Sequence, residues 1–478
     1  MSNGVSFSEL SVWPVILLMG VVLGGLLIGN MLKRAIPFLR KSLIPVSVIG
    51  GLFLLLVSTL SKVFTGKYFF NYFLFGNGGA LTGIEILEIL TYHCLAIGFI
   101  AMTLRKTGSD NKKKEKGRVK DVINSGIVTV NAYLLQGIIG VTVTVVSSIF
   151  IPKILKAAGL LLSFGFGQGT GQALNYGSIY ESNFGFEGGK SFGLTIAAIG
   201  FLAAGLGGIT YLAWHKKKGD IMVRENVFTH NTEKVEEEGE IPMVESMDKL
   251  TVQIALVVLC YAAAFGIMFL LGHLVGDGLR STIYGFNFLI GTLTAVIAKT
   301  VMKLLKKGKV MHRDYVNNFL LSRIAGFAFD VMIVAGIGAI QVDLIKDYLG
   351  VLLIMALLGV VFTFLYIKLI SNTLFAGYRH EEFLVMFGML TGTASTGVIL
   401  LREIDPMFET PASDNVVYQT FPAIILGFPM MILAAFCPKS DMATFITLGI
   451  MIAYFLVLNF VLFRSKIFKP KKKAEGEA

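Results

Sequence analysis

The stretch SFGFGQGTGQALNYG, Ser163 to Gly177, gathers five glycines with amide and hydroxyl side chains inside a chain that is 54% hydrophobic. Glycine lets a backbone turn sharply and approach a ligand closely. Where such a turn leads into a helix, free N–H groups and the positive dipole end favour an anion such as a carboxylate. Where a helix stops, its freed carbonyls, with Ser or Thr hydroxyls, suit a dehydrated sodium ion. The groups expected to meet an anionic substrate here are Gln168, Gly169, Thr170, Gly171, Gln172 and Asn175. Ser163 and Thr170 are the expected ion ligands.

A second stretch, EEFLVMFGMLTGTASTGVILLRE, spans Glu381 to Glu403 and offers similar chemistry. Thr391 and Thr393 are its expected sodium ligands, and Ser395 and Thr396 its expected substrate contacts. Phe164-Gly165 and Gly169-Thr170 match Phe387-Gly388 and Gly392-Thr393, so both stretches read F-G-x-x-x-G-T. Small residues at such density also mark close helix packing, the reading given to Gly200, Ala204, Gly205 and Gly208.

Charges within apolar runs default to functional hypotheses. Arg323 and Asp330, in LSRIAGFAFDVMIVAG, share one helical face about 10 Å apart along the axis. Asp330 is a candidate oxygen ligand for a coupling cation, and Arg323 a candidate contact for an anionic substrate. Lys368, near the end of its run, is expected to snorkel to the surface. Arg402 and Glu403 are read as surface residues.

Other chemistries find little support. Cys94, Cys260 and Cys437 lie far apart in apolar segments and read as small core residues. The six histidines form no ligand-spaced pair, so no transition-metal site is expected. No nucleophile–base constellation points to an enzyme, and no cofactor is expected beyond a coupling sodium ion.

The elements that must hold these groups follow from composition. Of 478 residues only 15% are charged, against about 25% in soluble domains, and mean hydropathy is +0.73. Apolar runs of bilayer length recur. Eleven spans are predicted: 12–32, 42–61, 83–104, 121–150, 191–213, 250–274, 282–298, 315–340, 349–376, 414–437 and 442–463. The segments 157–180 and 383–405 are too polar and glycine-rich for ordinary spans, and each is read as a re-entrant loop. The opening MSNGVSFSEL carries no Lys or Arg, so the first run is expected to be retained rather than cleaved.

With the N-terminus outside, 32 of the 42 Lys and Arg fall in inner segments and eight in outer ones. That asymmetry fits the positive-inside rule, and counting either loop as a crossing destroys it. It also accounts for the net charge of +11 without nucleic acid. Trp13 and Trp214 fall at span ends, as interfacial aromatics do.

The chain is therefore expected to be an all-α polytopic membrane protein built from two inverted repeats. Residues 1–213 form the first repeat and 250–437 the second, each with five spans and one loop. A cytoplasmic linker, 214–249, joins them, and 438–478 adds a span and a basic tail. Such inverted repeats are the architecture of secondary transporters. A channel and an intramembrane enzyme are the rival classes.

GLLLSFGFGQGTGQALNYG (Gly159–Gly177) resembles the serine- and glycine-rich loop of the bacterial sodium/glutamate symporter family. Similarity extends through IPVSVIGGLF (Ile44–Phe53), LAIGFIAM (Leu95–Met102) and IAAIGFLAAGLGG (Ile196–Gly208) to the second loop. The resemblance implies a ten-span inverted-repeat core, sodium-coupled glutamate uptake at a bacterial inner membrane, dimerisation and an elevator-like movement. The chain departs from the family in having Gln168 where His is common, a second loop poorer in glycine, and an added C-terminal span. The expected function is a sodium-coupled symporter of glutamate or a similar small carboxylate. The alternative is a sodium- or proton-coupled transporter of another organic anion, the proton version leaning on Asp330.

Overall fold

The computed structural model describes residues 12–76, 81–106, 116–221, 240, 242, 247–274, 277–405 and 410–467. MSNGVSFSEL, most of the 214–249 linker and most of the basic tail lie outside the described residues.

The described chain is all α. Its first half contains α1 (Pro14–Ala35), α2 (Pro37–Lys41), α3 (Val46–Thr65), α4 (Gly83–Leu104), α5 (Lys116–Ser147), α6 (Leu161–Phe184) and α7 (Gly189–Lys218). The second contains α8 (Lys249–Leu274), α9 (Asp277–Gly285), α10 (Asn287–Lys307), α11 (Asn318–Gly338), α12 (Val342–Ile345) and α13 (Leu349–Leu374). It continues through α14 (Arg379–Thr391), α15 (Ala394–Arg402), α16 (Pro411–Tyr418), α17 (Thr420–Phe436) and α18 (Asp441–Ile467). Among the described residues, 11 helices are long and apolar enough to cross a membrane, and each overlaps a predicted span, with bounds that differ by up to nine residues. Rows of exposed leucines, such as Leu259 and Leu270 on α8 or Leu353 and Leu357 on α13, suit a hydrocarbon surround.

Local signals set the helix starts. Thr82 and Glu85 form a reciprocal capping box at α4, with Thr82 N–H donating to Glu85 Oε2 at 2.7 Å. Asn317 caps α11 by accepting from Leu320 N–H at 2.8 Å.

The helices sort into two groups. In one, α1 packs on α3 as α8 packs on α10, α4 packs on α10 as α11 packs on α3, and α4 meets α11. In the other, α5 carries α13, α17 and α18, while α6 packs on α7 and α14 on α13 and α15. α4 and α11 touch α6 where the groups meet. Glycines allow the closest approaches: a Cβ at Gly140 or Gly159 would collide with the other's backbone.

One end of the bundle carries the linker. There Glu240 is buried against Lys249 at 2.8 Å and Lys106 at 2.9 Å, and it accepts from Asn317 Nδ2 at 2.8 Å. Lys106 also pairs with Asp314 at 3.4 Å. Burial works to raise the Glu240 carboxyl, but hydrogen bonds from Lys249, Lys106 and Asn317 outweigh it and hold the group below its ordinary range.

Cys94, Cys260 and Cys437 are free and buried. Lys368 is half-buried, its Nζ 4.7 Å from the Trp214 ring centre. Trp13 and Trp214 are exposed at helix ends. Gly205 meets Ile44 and Gly208 meets Leu400, both as packing positions.

Candidate functional site

Both polar stretches break a helix and fold the chain back. In α6 the break is at Gly169, whose φ of 76° and ψ of −166° lie outside helical space and suit glycine. Phe164 and Tyr176, one on each side of the break, stack with ring centres 4.0 Å apart. Twelve residues of continuous helix would hold them roughly 18 Å apart, so the two arms of α6 run antiparallel. In the second stretch α14 ends at Thr391 and α15 begins at Ala394. A Cβ at Gly388 would lie 2.8 Å from Gly397 Cα, which places these two arms side by side as well.

The two tips meet. A Cβ built on Gly169 would lie 3.7 Å from Thr393 Cγ2. Gly200 of α7 underlies both hairpins, since a Cβ there would lie 2.5 Å from the Thr391 carbonyl oxygen and 2.9 Å from Phe166. Its tight packing, read from sequence, is thus packing that supports the site.

α5 steadies both tips. Tyr133 O–H donates to the Gly167 carbonyl at 3.1 Å, and Gln136 Nε2 donates to the Leu390 carbonyl at 2.8 Å. Each tip therefore combines the carbonyl end of one arm with the N–H end of the next. Thr393 caps α15 by accepting from Thr396 N–H at 3.3 Å. Such paired half-helix ends can serve a cation and an anion together.

A cavity of about 310 Å³ opens beside the tips, near the lower limit of small-molecule sites at about 300–1,000 Å³. Gly167, Gln168, Gly392, Thr393 and Ser395 line it, as do apolar groups such as Phe99, Phe288 and Phe329. The Gln168 side chain has no hydrogen-bond partner among the described residues and is available to a ligand. Thr129 and Gln419 contribute a hydrogen-bonded pair at 2.8 Å to the wall.

Among the described residues, the one charged group of this lining is Arg105, just past the end of α4. Its Nε is buried without a hydrogen-bond partner. Its carbonyl, with that of Thr103, accepts from Lys299 Nζ at 2.7 and 3.0 Å, which fixes the helix end that presents it. No acidic side chain among the described residues lines the cavity, so its electrostatics favour an anion.

The structure brings Gln168, Thr393 and Ser395 to this cavity, with Gly169 at the meeting of the tips. The other expected residues are engaged elsewhere. Ser163 Oγ donates to the Tyr133 carbonyl at 2.7 Å, and Thr170 Oγ1 donates to the Met332 carbonyl at 3.4 Å. Gly171 packs on Leu95 and Met332. Asn175 Nδ2 donates to the Gly285 carbonyl and faces Gln172 Oε1 at 3.4 Å, leaving the buried Gln172 Nε2 unpartnered. Thr391 Oγ1 donates to the Phe387 carbonyl at 2.7 Å within its own helix. Thr396 is buried behind Thr393, their hydroxyls 3.2 Å apart.

Arg323 and Asp330 also lie outside the cavity wall. Both are exposed on α11, Arg323 over the Phe319 ring at 4.9 Å and Asp330 beside Ser47 of α3. The α11 residues that do line the cavity, among them Ser322, Phe329 and Met332, follow another stripe of the helix.

Arg105, Thr129 and Gln419 are the groups that sequence reasoning missed. Arg105 stands in a basic stretch that reads as solvated, and the other two are single polar residues in apolar runs. No ligand-spaced group of His, Cys, Asp or Glu occurs among the described residues. No protein-family model and no curated protein matches the chain.

Proposed function

We propose that the chain is a sodium-coupled secondary active transporter of glutamate or a closely similar small carboxylate. On this reading the α6 and α14–α15 hairpins are re-entrant loops of two inverted repeats. The repeats are 1–213 and 250–437, the linker 214–249 is cytoplasmic, and 438–478 is an addition. The paired packing of α1, α3 and α4 with α8, α10 and α11 supports the inversion. The basic-residue asymmetry supports an outside N-terminus in a bacterial inner membrane. The resemblance to bacterial sodium/glutamate symporters supports the substrate class, a homodimer and alternating access by hairpin movement.

The observation that carries the reading is the meeting of the two broken-helix tips beside a cavity whose charged lining residue is Arg105. Arg105, toward the linker end of the cavity, would attract the anion, and the start of α15 would hold its carboxylate, with Gln168 and Ser395 hydrogen-bonding to it. Tip carbonyls and Thr393 would hold sodium, which offsets part of the substrate charge and completes the loaded form.

Uptake of labelled glutamate into liposomes holding the purified protein tests this. Accumulation is expected with an inward sodium gradient and should vanish when potassium replaces sodium. Uptake unchanged without sodium would overturn sodium coupling. Conduction far faster than a transport cycle would favour a channel.

A proton-coupled carrier of another organic anion is the second reading. One observation favours it: a fully buried carboxyl, Glu382, in the hairpin arm that leads to the second tip.

A further inference from the structure

Three elements meet around that carboxyl. Glu382 lies in the first turn of α14 and is 0% exposed. Ser125 Oγ of α5 donates to its Oε1 at 2.8 Å, and Asn415 Nδ2 of α16 donates to its Oε2 at 3.0 Å. No ion-pair partner for it occurs among the described residues. A buried carboxylate without a cation is costly, and two neutral donors offset only part of that cost.

Among the described residues, the titratable neighbours do not supply the missing charge. From α5 comes Asp121, itself an acid, which accepts from Tyr378 O–H at 2.8 Å. Tyr378 lies 3.2 Å from Asn415 Nδ2. From α7, Tyr211 turns to His380, 2.9 Å from its Nδ1, and His215 pairs with Asp220. His380 accepts from Arg379 Nε at 3.1 Å. From α13, Lys368 faces aromatic rings, and Arg402 at the end of α15 is exposed.

The partners that Glu382 does have fit either protonation state. A serine hydroxyl can donate to the carboxylate or accept from the acid, while Asn415 keeps donating to the other oxygen. The same three elements continue to the cavity. Thr129, one turn beyond Ser125, directs its hydroxyl at the Ser125 carbonyl (3.0 Å) and Gln419 Oε1 (2.8 Å). Gln419 lies one turn beyond Asn415, and its Nε2 is 3.0 Å from Met389 Sδ of α14. Thr129, Gln419 and Met389 all line the cavity.

We propose that Glu382 is a proton-binding site, taking a proton from water and returning it as the α14–α15 hairpin shifts against α5 and α16. Proton binding stands on the geometry around Glu382; its link to hairpin movement rests on the transport reading. Burial, assisted by the Asp121 charge and opposed by the hydrogen bonds from Asn415 and Ser125, pushes the carboxyl up to about 7 from an ordinary 4.5. Because the shift is upward, the stability it contributes is complete below the ordinary value. It is lost as pH rises through about 7.

Infrared spectroscopy and thermal unfolding of the purified full chain test the site without requiring transport. A protonated-carboxyl band should be present near pH ~6, fade by pH ~8, and be missing from Glu382→Gln. The unfolding midpoint of the parent should fall over that interval, and that of Glu382→Gln should stay level. If Glu382→Gln does not fold, Ser125→Ala carries the test. Loss of a donor to the charged form should move the band's titration upward by about one pH unit. A band that survives Glu382→Gln, or a titration unmoved in Ser125→Ala, overturns the proposal. If wild-type liposomes take up no anion while the band titrates as described, the transport reading falls and the proton site stands.

Discussion

At the scale of single residues, Arg105 and the two threonines of the tips separate ligand contact from internal bonding. Charge-assisted hydrogen bonds contribute about 1.5–3 kcal/mol. Arg105→Gln should therefore weaken apparent substrate affinity by roughly ten- to a hundredfold, with Arg105→Lys between the two. Concentration dependence of uptake measures this, and equal affinities in all three proteins would remove Arg105 from the site. Thr170 and Thr393 correspond in the repeated motif, yet their hydroxyls differ in availability. Thr170 bonds the Met332 carbonyl, whereas Thr393 lines the cavity and caps α15. Thr393→Val should raise the sodium concentration needed for half-maximal uptake severalfold and cost about 0.5–2 kcal/mol of stability through the lost cap. Thr170→Val should change that sodium requirement little; a larger effect there than at Thr393 would reverse the assignment.

At the scale of elements, the joint around Glu240 predicts acid sensitivity of the linker. Its carboxyl is held below the ordinary range by Lys249, Lys106 and Asn317 acting against burial. A depressed acid stabilises the fold above its unfolded value and loses that contribution as pH falls through the folded one. Limited proteolysis of the linker should accelerate as the solution is acidified below about pH 4.5, and Glu240→Gln should show the fast rate already at neutral pH. Cleavage independent of both changes would show that this contact does not tether the linker. The helices themselves were legible in sequence because bilayer-length apolar runs leave little ambiguity. The tips were legible too, since glycines beside amides and hydroxyls stand out from such runs. The cavity wall was not. Thr129, Gln419 and Ser125 sit singly on helices that meet only through tertiary packing. Glu382 shares a helical turn with Arg379 and Glu381 that reads as a solvated end. Conversely, the charges of Arg323 and Asp330 announce themselves in sequence, but the rotation of α11 sets both beside the cavity stripe rather than on it.

At the scale of the whole molecule, the cavity runs from the tips toward the linker end, where Arg105 and Ser322 stand. With the basic excess on that side, the cavity extends toward the cytoplasmic end of the bundle on the proposed topology. This gives a direct test of sidedness. Cys94, Cys260 and Cys437 are all buried, so the parent chain should react slowly with a membrane-impermeant thiol reagent. Ser322→Cys places a thiol on the cavity wall near its linker-side end. It should be labelled in inside-out vesicles and spared in intact cells. Sodium plus substrate should protect it, either by occupying the cavity or by drawing the hairpins to the closed arrangement. Separating these causes needs a second thiol away from the ligand: Thr300→Cys, on α10 at the linker end and outside this cavity, should be labelled from the same side with no protection. Labelling of Ser322→Cys in intact cells alone would invert the topology. Labelling from both sides at once would describe a continuous pore, and the carrier reading would give way to a channel.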